Sequence, residues 1–193
     1  MILDKLFKPI SYIRIKHYEK SWFDFILPLG TTLLFFFIIY CLSEPIKLLG
    51  KEGLVSLVNG LLQILAGFYI ASMAAIATFN KEGMDDIMDG TPPTLNGVEL
   101  TRRQFLTYLF GYLAFCSICL YFIGGFAQLA SQSLFHLVSL SSPFLKILLV
   151  GLYIFAVSNI MYTTVLGMHF MIDKIHRKKV VIRDNKANET SDN

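Results

Sequence analysis

Cys116 and Cys119 are two residues apart in "CSIC", the spacing used by thiol–disulfide enzymes. Membrane oxidoreductases of four helices use such pairs, so the possibility has to be weighed. A catalytic thiol needs thiolate character and an aqueous or quinone-facing end. Cys116 falls about 18 Å into an apolar run that starts near Gln104, close to the centre of a bilayer. Cys41 offers no second pair to relay electrons. The better reading is two small, buried, apolar side chains.

The other chemistry-bearing residues form no site either. His17, His136, His169 and His176 do not share a depth, so no bridging haem pair is expected. Asp85, Asp89 and Gly90 suggest a calcium loop. However, Ile87 stands at its third position and Asn96 at its twelfth, where the pattern needs acid or amide and then Glu. No carboxylate is expected inside a span, with Asp24 and Glu44 at the edges, which weighs against a proton-coupled carrier. Nucleotide, phosphate and hydrolase motifs are absent. The expectation is a chain that is not an enzyme and holds no cofactor or metal.

The elements that carry these residues follow from composition. Of 193 residues, 54% are hydrophobic and 16% charged, too little charge to cover a soluble surface. Residues 25–43, 54–80, 104–145 and 147–172 lack Asp, Glu, Lys and Arg. A helical span takes about 20 apolar residues. The third stretch is twice too long, and its Ser- and Gln-rich second half suggests a span ending near Leu129. Pro143 then opens the fourth span, where its missing N–H is harmless. The predicted fold is an all-α integral membrane protein with four transmembrane helices. The first 22 residues are too polar for a signal-peptide core. Their apolar residues Ile2, Leu3, Leu6, Phe7 and Ile10 fall on one face, which suggests a short interfacial helix interrupted by Pro9.

Basic residues set the orientation. The leader (1–22) carries five, the 80–103 connector three and the tail (173–193) six. The other two connectors carry two and one. Both termini are therefore expected in the cytoplasm, with residues 23–172 as the transmembrane domain of a multi-pass chain. The end of the tail, "DNKANETSDN", has the composition of a disordered segment.

The connector is the unusual element. It holds Glu82, Asp85, Asp86, Asp89 and Glu99 against Lys81, Arg102 and Arg103. An anionic leaflet repels such a segment and should push it into the cytosol. It exceeds the 2–8 residues that typically join antiparallel helices, and Pro92 and Pro93 stiffen it. Asn96-Gly97 signals a turn, and Thr101 with Gln104 a capping box. These features suggest that Glu82, Asp85, Asp86, Asp89, Pro92 and Pro93 form a docking surface for a soluble cytoplasmic effector protein. A plain solvated linker is the alternative. Gly67, Ala71 and Ala75 make a small-residue ridge for close helix contact, within the chain or in a homo-oligomer. Asn59, Gln63, Ser72, Thr78, Ser158, Asn159, Thr163 and Thr164 could line a pore or join helices, so a pore-forming or membrane-permeabilising effector is the rival function.

The size, the four spans, the same-side termini and the connector "NKEGMDDIMDGTPPTLNG" resemble the membrane-subunit family (KwaA) of the Kiwa anti-phage defence systems. The resemblance is architectural and covers most of the chain. It implies an oligomeric subunit of the bacterial cell inner membrane that senses envelope perturbation and holds a cytoplasmic partner of the KwaB type. That partner, and not this chain, would contact nucleic acid.

The charge asymmetry makes a direct prediction. Cysteines introduced at Asn96 and at Asn188 should both resist an impermeant thiol reagent added to intact cells. Labelling of either from outside would invert the topology.

Overall fold

The computed structural model describes residues 7–43, 46–78, 83–88, 91–131 and 143–174. Four helices are long and apolar enough to cross a membrane. Helix α1 is continuous through Tyr18–Ser21, a widened π turn at Trp22–Ile26, and Leu27–Cys41. Helix α2 is Leu54–Thr78, α3 is Arg102–Leu129 and α4 is Pro143–His169, followed by a second π turn at Phe170–Lys174. The chain is an all-α, multi-pass membrane protein, and the two ends of the described chain lie on the same side of the bundle. The expected ends of the third span, and Pro143 at the head of the fourth, match these helices.

The helices form two pairs, α2 with α3 and α1 with α4, joined where α3 meets α4. Helix α3 is the hub. In its most apolar window 44% of residues are buried, against 17–22% for the other three helices, whose remaining surface faces lipid. Val55, Leu62, Tyr69 and Ile76 recur every seven residues along the α2 seam against α3. Gly124 permits this approach, since a Cβ there would collide with the Asn59 side chain.

The Gly67–Ala71–Ala75 ridge, open in the sequence to a helix of this chain or of a second copy, is exposed among the described residues. The i+7 seam of larger side chains takes the internal contact instead. The leader, as far as it is described, does not form an amphipathic helix lying on the lipid. Lys8–Arg14 winds into a 3-10 helix packed on α3, with Pro9 in its first turn and Tyr12 fully buried. Tyr12 stacks on Tyr112 with ring centroids 4.9 Å apart. Ile2, Leu3 and Leu6 lie outside the described residues.

The connector is folded onto the end of the bundle. Strands β1 (Thr94–Leu95) and β2 (Val98–Glu99) form a hairpin. Asn96 and Gly97 turn it with φ of 52° and 83°, the doubly positive pair of a type I′ turn. On the other edge of β1 the leader joins in: Lys16 and Thr94 exchange backbone hydrogen bonds of 2.9 and 3.2 Å. Met84, Met88 and Leu100 are buried in the core below. The capping box forms as the sequence indicates, Gln104 N to Thr101 Oγ1 and Thr101 N to Gln104 Oε1. The acidic character that should repel the connector from the membrane is partly neutralised at home. Arg103 donates to both carboxylate oxygens of Asp85, at 2.7 and 3.1 Å, and to the Ile76 carbonyl at 2.7 Å. One guanidinium thus holds the connector and satisfies a carbonyl in the last turn of α2.

Asp85 is held below the usual carboxyl value of 3.8, first by the hydrogen bond from Arg103 and then by its charge. A carboxyl depressed by folding stabilises above that value and loses its effect as pH falls through the folded value. Cleavage of residues 83–100 by an acid-active protease should therefore accelerate below pH 3.8. Asp85→Asn should cleave at the fast rate on both sides of that pH. Identical profiles for the two proteins would show that Asp85 does not fasten the connector.

Candidate functional site

The most concentrated polar chemistry among the described residues sits where the leader, α1, α3 and α4 converge. Asp24 and Lys20 are each 3% exposed and form an ion pair one helical turn apart. Asp24 Oδ1 also accepts from Tyr12 Oη at 3.2 Å and from Thr163 Oγ1 at 3.3 Å. The Asp24 carbonyl, in the π turn of α1, accepts from Asn159 Nδ2 at 2.8 Å. Asn159 Oδ1 accepts in turn from Tyr112 Oη at 2.8 Å. The Lys20 ammonium lies 4.3 Å above the Tyr12 ring, a cation–π contact. Burial first, and then the Asp24 charge, push the Tyr12 phenol well above its ordinary value. It therefore stays protonated and donating.

Asp24 lies at the edge of its span, as the sequence indicates, but it is turned inward. Its charge is tolerated because each carboxylate oxygen is occupied. The sequence did carry a signal: Lys20 and Asp24 share one helical face at i,i+4, and so do Asn159 and Thr163. Nothing in the sequence linked the two pairs.

The geometry is that of a clamp. The carboxylate accepts hydrogen bonds from described residues at both oxygens. It ties four segments of the chain at one point.

The predicted docking residues divide. Asp85 is exposed but engaged by Arg103, and Asp86 is half-buried, its carbonyl accepting from Arg102 N at 3.2 Å. Glu82 and Asp89 lie outside the described residues. Pro93 is buried and its carbonyl accepts from Leu100 N, so it belongs to the hairpin. Pro92 is half-buried at the edge of a cavity. Among the described residues of the connector, those presented outward besides Asp85 include apolar Val98, 67% exposed, and Ile87, with Glu99 and the Asn96-Gly97 turn. Alternation in so short a strand pair gives little to find them by in the sequence.

Cys116 and Cys119 are unpaired thiols on one wall of an apolar cleft, and Cys41 is exposed at the far end of α1. His17 and His169 flank Phe170 with ring centroids 6.3 and 6.0 Å from it, while His136 and His176 lie outside the described residues. The polar residues considered as a pore lining are dispersed. Asn159 and Thr163 serve the clamp, Thr164 bonds Tyr69 and the Ile160 carbonyl, and Thr78 bonds back to its own helix.

Lys20→Met should destabilise the bundle by about 3–5 kcal/mol, the usual cost of leaving a buried charge unpaired. Lys20→Met with Asp24→Asn should recover part of that loss, because the residual charge is gone. Denaturant unfolding in detergent micelles measures both. A single variant no less stable than wild type, or a double variant worse than the single, would contradict the clamp.

No protein-family model matches the chain, and no curated protein or solved structure is similar to it.

Proposed function

We propose that this chain is a non-catalytic membrane subunit that holds a soluble partner on the leader-side end of its bundle. One observation carries the proposal. The connector uses its buried side chains, its Arg103–Asp85 pair and its backbone bonds to build a fixed surface, and that surface still presents apolar Val98 and Ile87 beside Glu99. A pre-folded surface loses little entropy on binding. The exposed edge of β2 suits addition of an extended partner segment. The charge asymmetry of the sequence favours the cytoplasm for this end, and the bacterial inner membrane is what the resemblance to the Kiwa subunits implies.

The architectural resemblance to the Kiwa membrane subunits fits the same role. The partner would be a cytoplasmic effector of the KwaB type, engaged when the envelope is perturbed during phage attack. The Gly67–Ala71–Ala75 face, unused within the chain, would meet a second copy.

The proposed dock differs from the acidic cluster that the sequence suggests. Asp85 is committed to Arg103, so Val98 and Glu99 are the residues to change. Val98→Asp with Glu99→Lys should abolish recovery of the partner with tagged chain from mild detergent, with membrane level and helical content unchanged. Full recovery of the partner by this variant would refute the hairpin dock. Ion flux from liposomes holding the chain alone would favour a pore instead.

A further inference from the structure

The clamp has open space on either side. Toward the leader side there is a cavity of about 580 Å3, with Lys16, His17, Ser21 and Thr91 on its wall. None of the described residues lining it is acidic. His17 Nδ1 is buried with no hydrogen-bond partner among the described residues. Toward the membrane interior there is a second cavity, an apolar cleft of about 360 Å3 between α1, α3 and α4. It runs from Tyr112 and Asn159 to Ile123 and Leu152. Ile13 and Phe25 line both spaces, and both are partly exposed, at 45% and 52%.

The dimensions select an occupant. Tyr112 and Ile123 are eleven residues apart on one helix, about 16 Å along its axis. That is about the depth of one leaflet, half of the roughly 30 Å hydrocarbon core. The cleft opens among membrane-facing helices, where acyl chains are the surrounding solvent. Its polar end is already satisfied, since Asn159, Asp24 and Tyr112 bond one another. The cleft therefore offers a path for an apolar chain and no free polar partner of its own. The mouth offers the reverse, exposed cationic Lys16 with the hydroxyls of Tyr18, Ser21 and Thr91 nearby. The charge of Lys20, also on the mouth wall, is taken up by Asp24.

The geometry points to a binding site for one anionic phospholipid of the leader-side leaflet. The phosphate group sits in the mouth among Lys16, His17 and Ser21. One acyl chain passes Ile13 and Phe25 into the cleft along α3 and α4. The connector contributes Thr91 and Pro92 to the mouth wall, and no docked protein partner is needed for this site.

Trp22 is the only tryptophan in the chain and lies on α1 between Ser21 and Phe25. Its fluorescence reports on this position. The full chain is reconstituted in phosphatidylcholine vesicles doped with brominated phosphatidylglycerol or, at the same fraction, brominated phosphatidylcholine. The anionic lipid should quench with about fivefold higher apparent affinity, the factor expected for one lysine at an anionic surface. Lys16→Gln should abolish this preference. It alters an exposed side chain, so it reports even if a cleft variant fails to fold. Ala156→Leu, which fills the cleft wall, should also abolish it. Added glycerol phosphate should leave it unchanged, because it has no chain for the cleft. Equal quenching by the two lipids would overturn the site. Persistence of the preference in Lys16→Gln would do the same. Persistence in Ala156→Leu would reduce the effect to surface attraction, and loss on adding glycerol phosphate would reduce it to a free-phosphate site.

Discussion

A carboxylate buried at the end of a membrane bundle has to be satisfied on every side, and the requirements of Asp24 arrange much of this fold. In a low-dielectric site an unpaired charge costs several kcal/mol, so the surroundings must supply a cation and hydrogen-bond donors together. Lys20 supplies the cation from the preceding turn. The donors come from elsewhere: Tyr12 from the leader and Thr163 from α4, while Asn159 takes the Asp24 carbonyl and receives Tyr112 from α3. The cluster is therefore a point of assembly. Apolar packing in lipid is weakly directional, because acyl chains are as apolar as leucine. The clamp adds the direction, fixing α1 against α4 and fixing the leader over α3.

The leader carries this order outward. Tyr12 and Lys20 are set by the clamp, and Lys16 lies between them in sequence. Its backbone pairs with Thr94 at the edge of the hairpin. The connector is held from its other end by Arg103, which spans Asp85 and the last turn of α2. A surface polar loop is thus secured at two places, one through the leader and one through α3. This explains how a segment rich in charge and turn residues can bury Met84, Met88 and Leu100 and keep a defined shape.

What the sequence revealed and what it hid follow from the range of the interactions. The four spans were legible because length and apolarity are local properties that the bilayer tests directly. The capping box at Thr101 and Gln104 and the Asn96-Gly97 turn were legible for a similar reason, since each is closed within four residues. The position of Asp24 was not. Its partners Tyr12, Asn159 and Thr163 are up to 139 residues away in the chain, and at the edge of an apolar run an inward and an outward carboxylate look alike. The ridge of Gly67, Ala71 and Ala75 was visible as a pattern, but small residues on a helix do not say which face meets a neighbour. The seam through Leu62, Tyr69 and Ile76 took that contact, flanked by Met73 against Gly111 and Asn59 against Gly124. The connector was legible as structured but not as a docked element, because the ion pair that docks it joins residues 18 apart across two segments.

The leader is also what the two proposed surfaces have in common. Ile13, Lys16 and His17 border the basic mouth, and Lys16 pairs with β1, whose hairpin partner β2 is the proposed dock. Coupling between two sites requires an element whose arrangement both ligands bias. The leader is the segment placed to be that element. A lipid headgroup drawn toward Lys16 and His17 would act on the short stretch that aligns the hairpin. The effect on a partner could be no larger than the difference in lipid affinity between the docked and released leader. The clamp limits that difference, because Tyr12 and Lys20 are buried on either side and Ile15 between them is in the core. A response to lipid would therefore have to pass through exposed Lys16 and its two backbone bonds to Thr94, which can lengthen without breaking the buried ion pair.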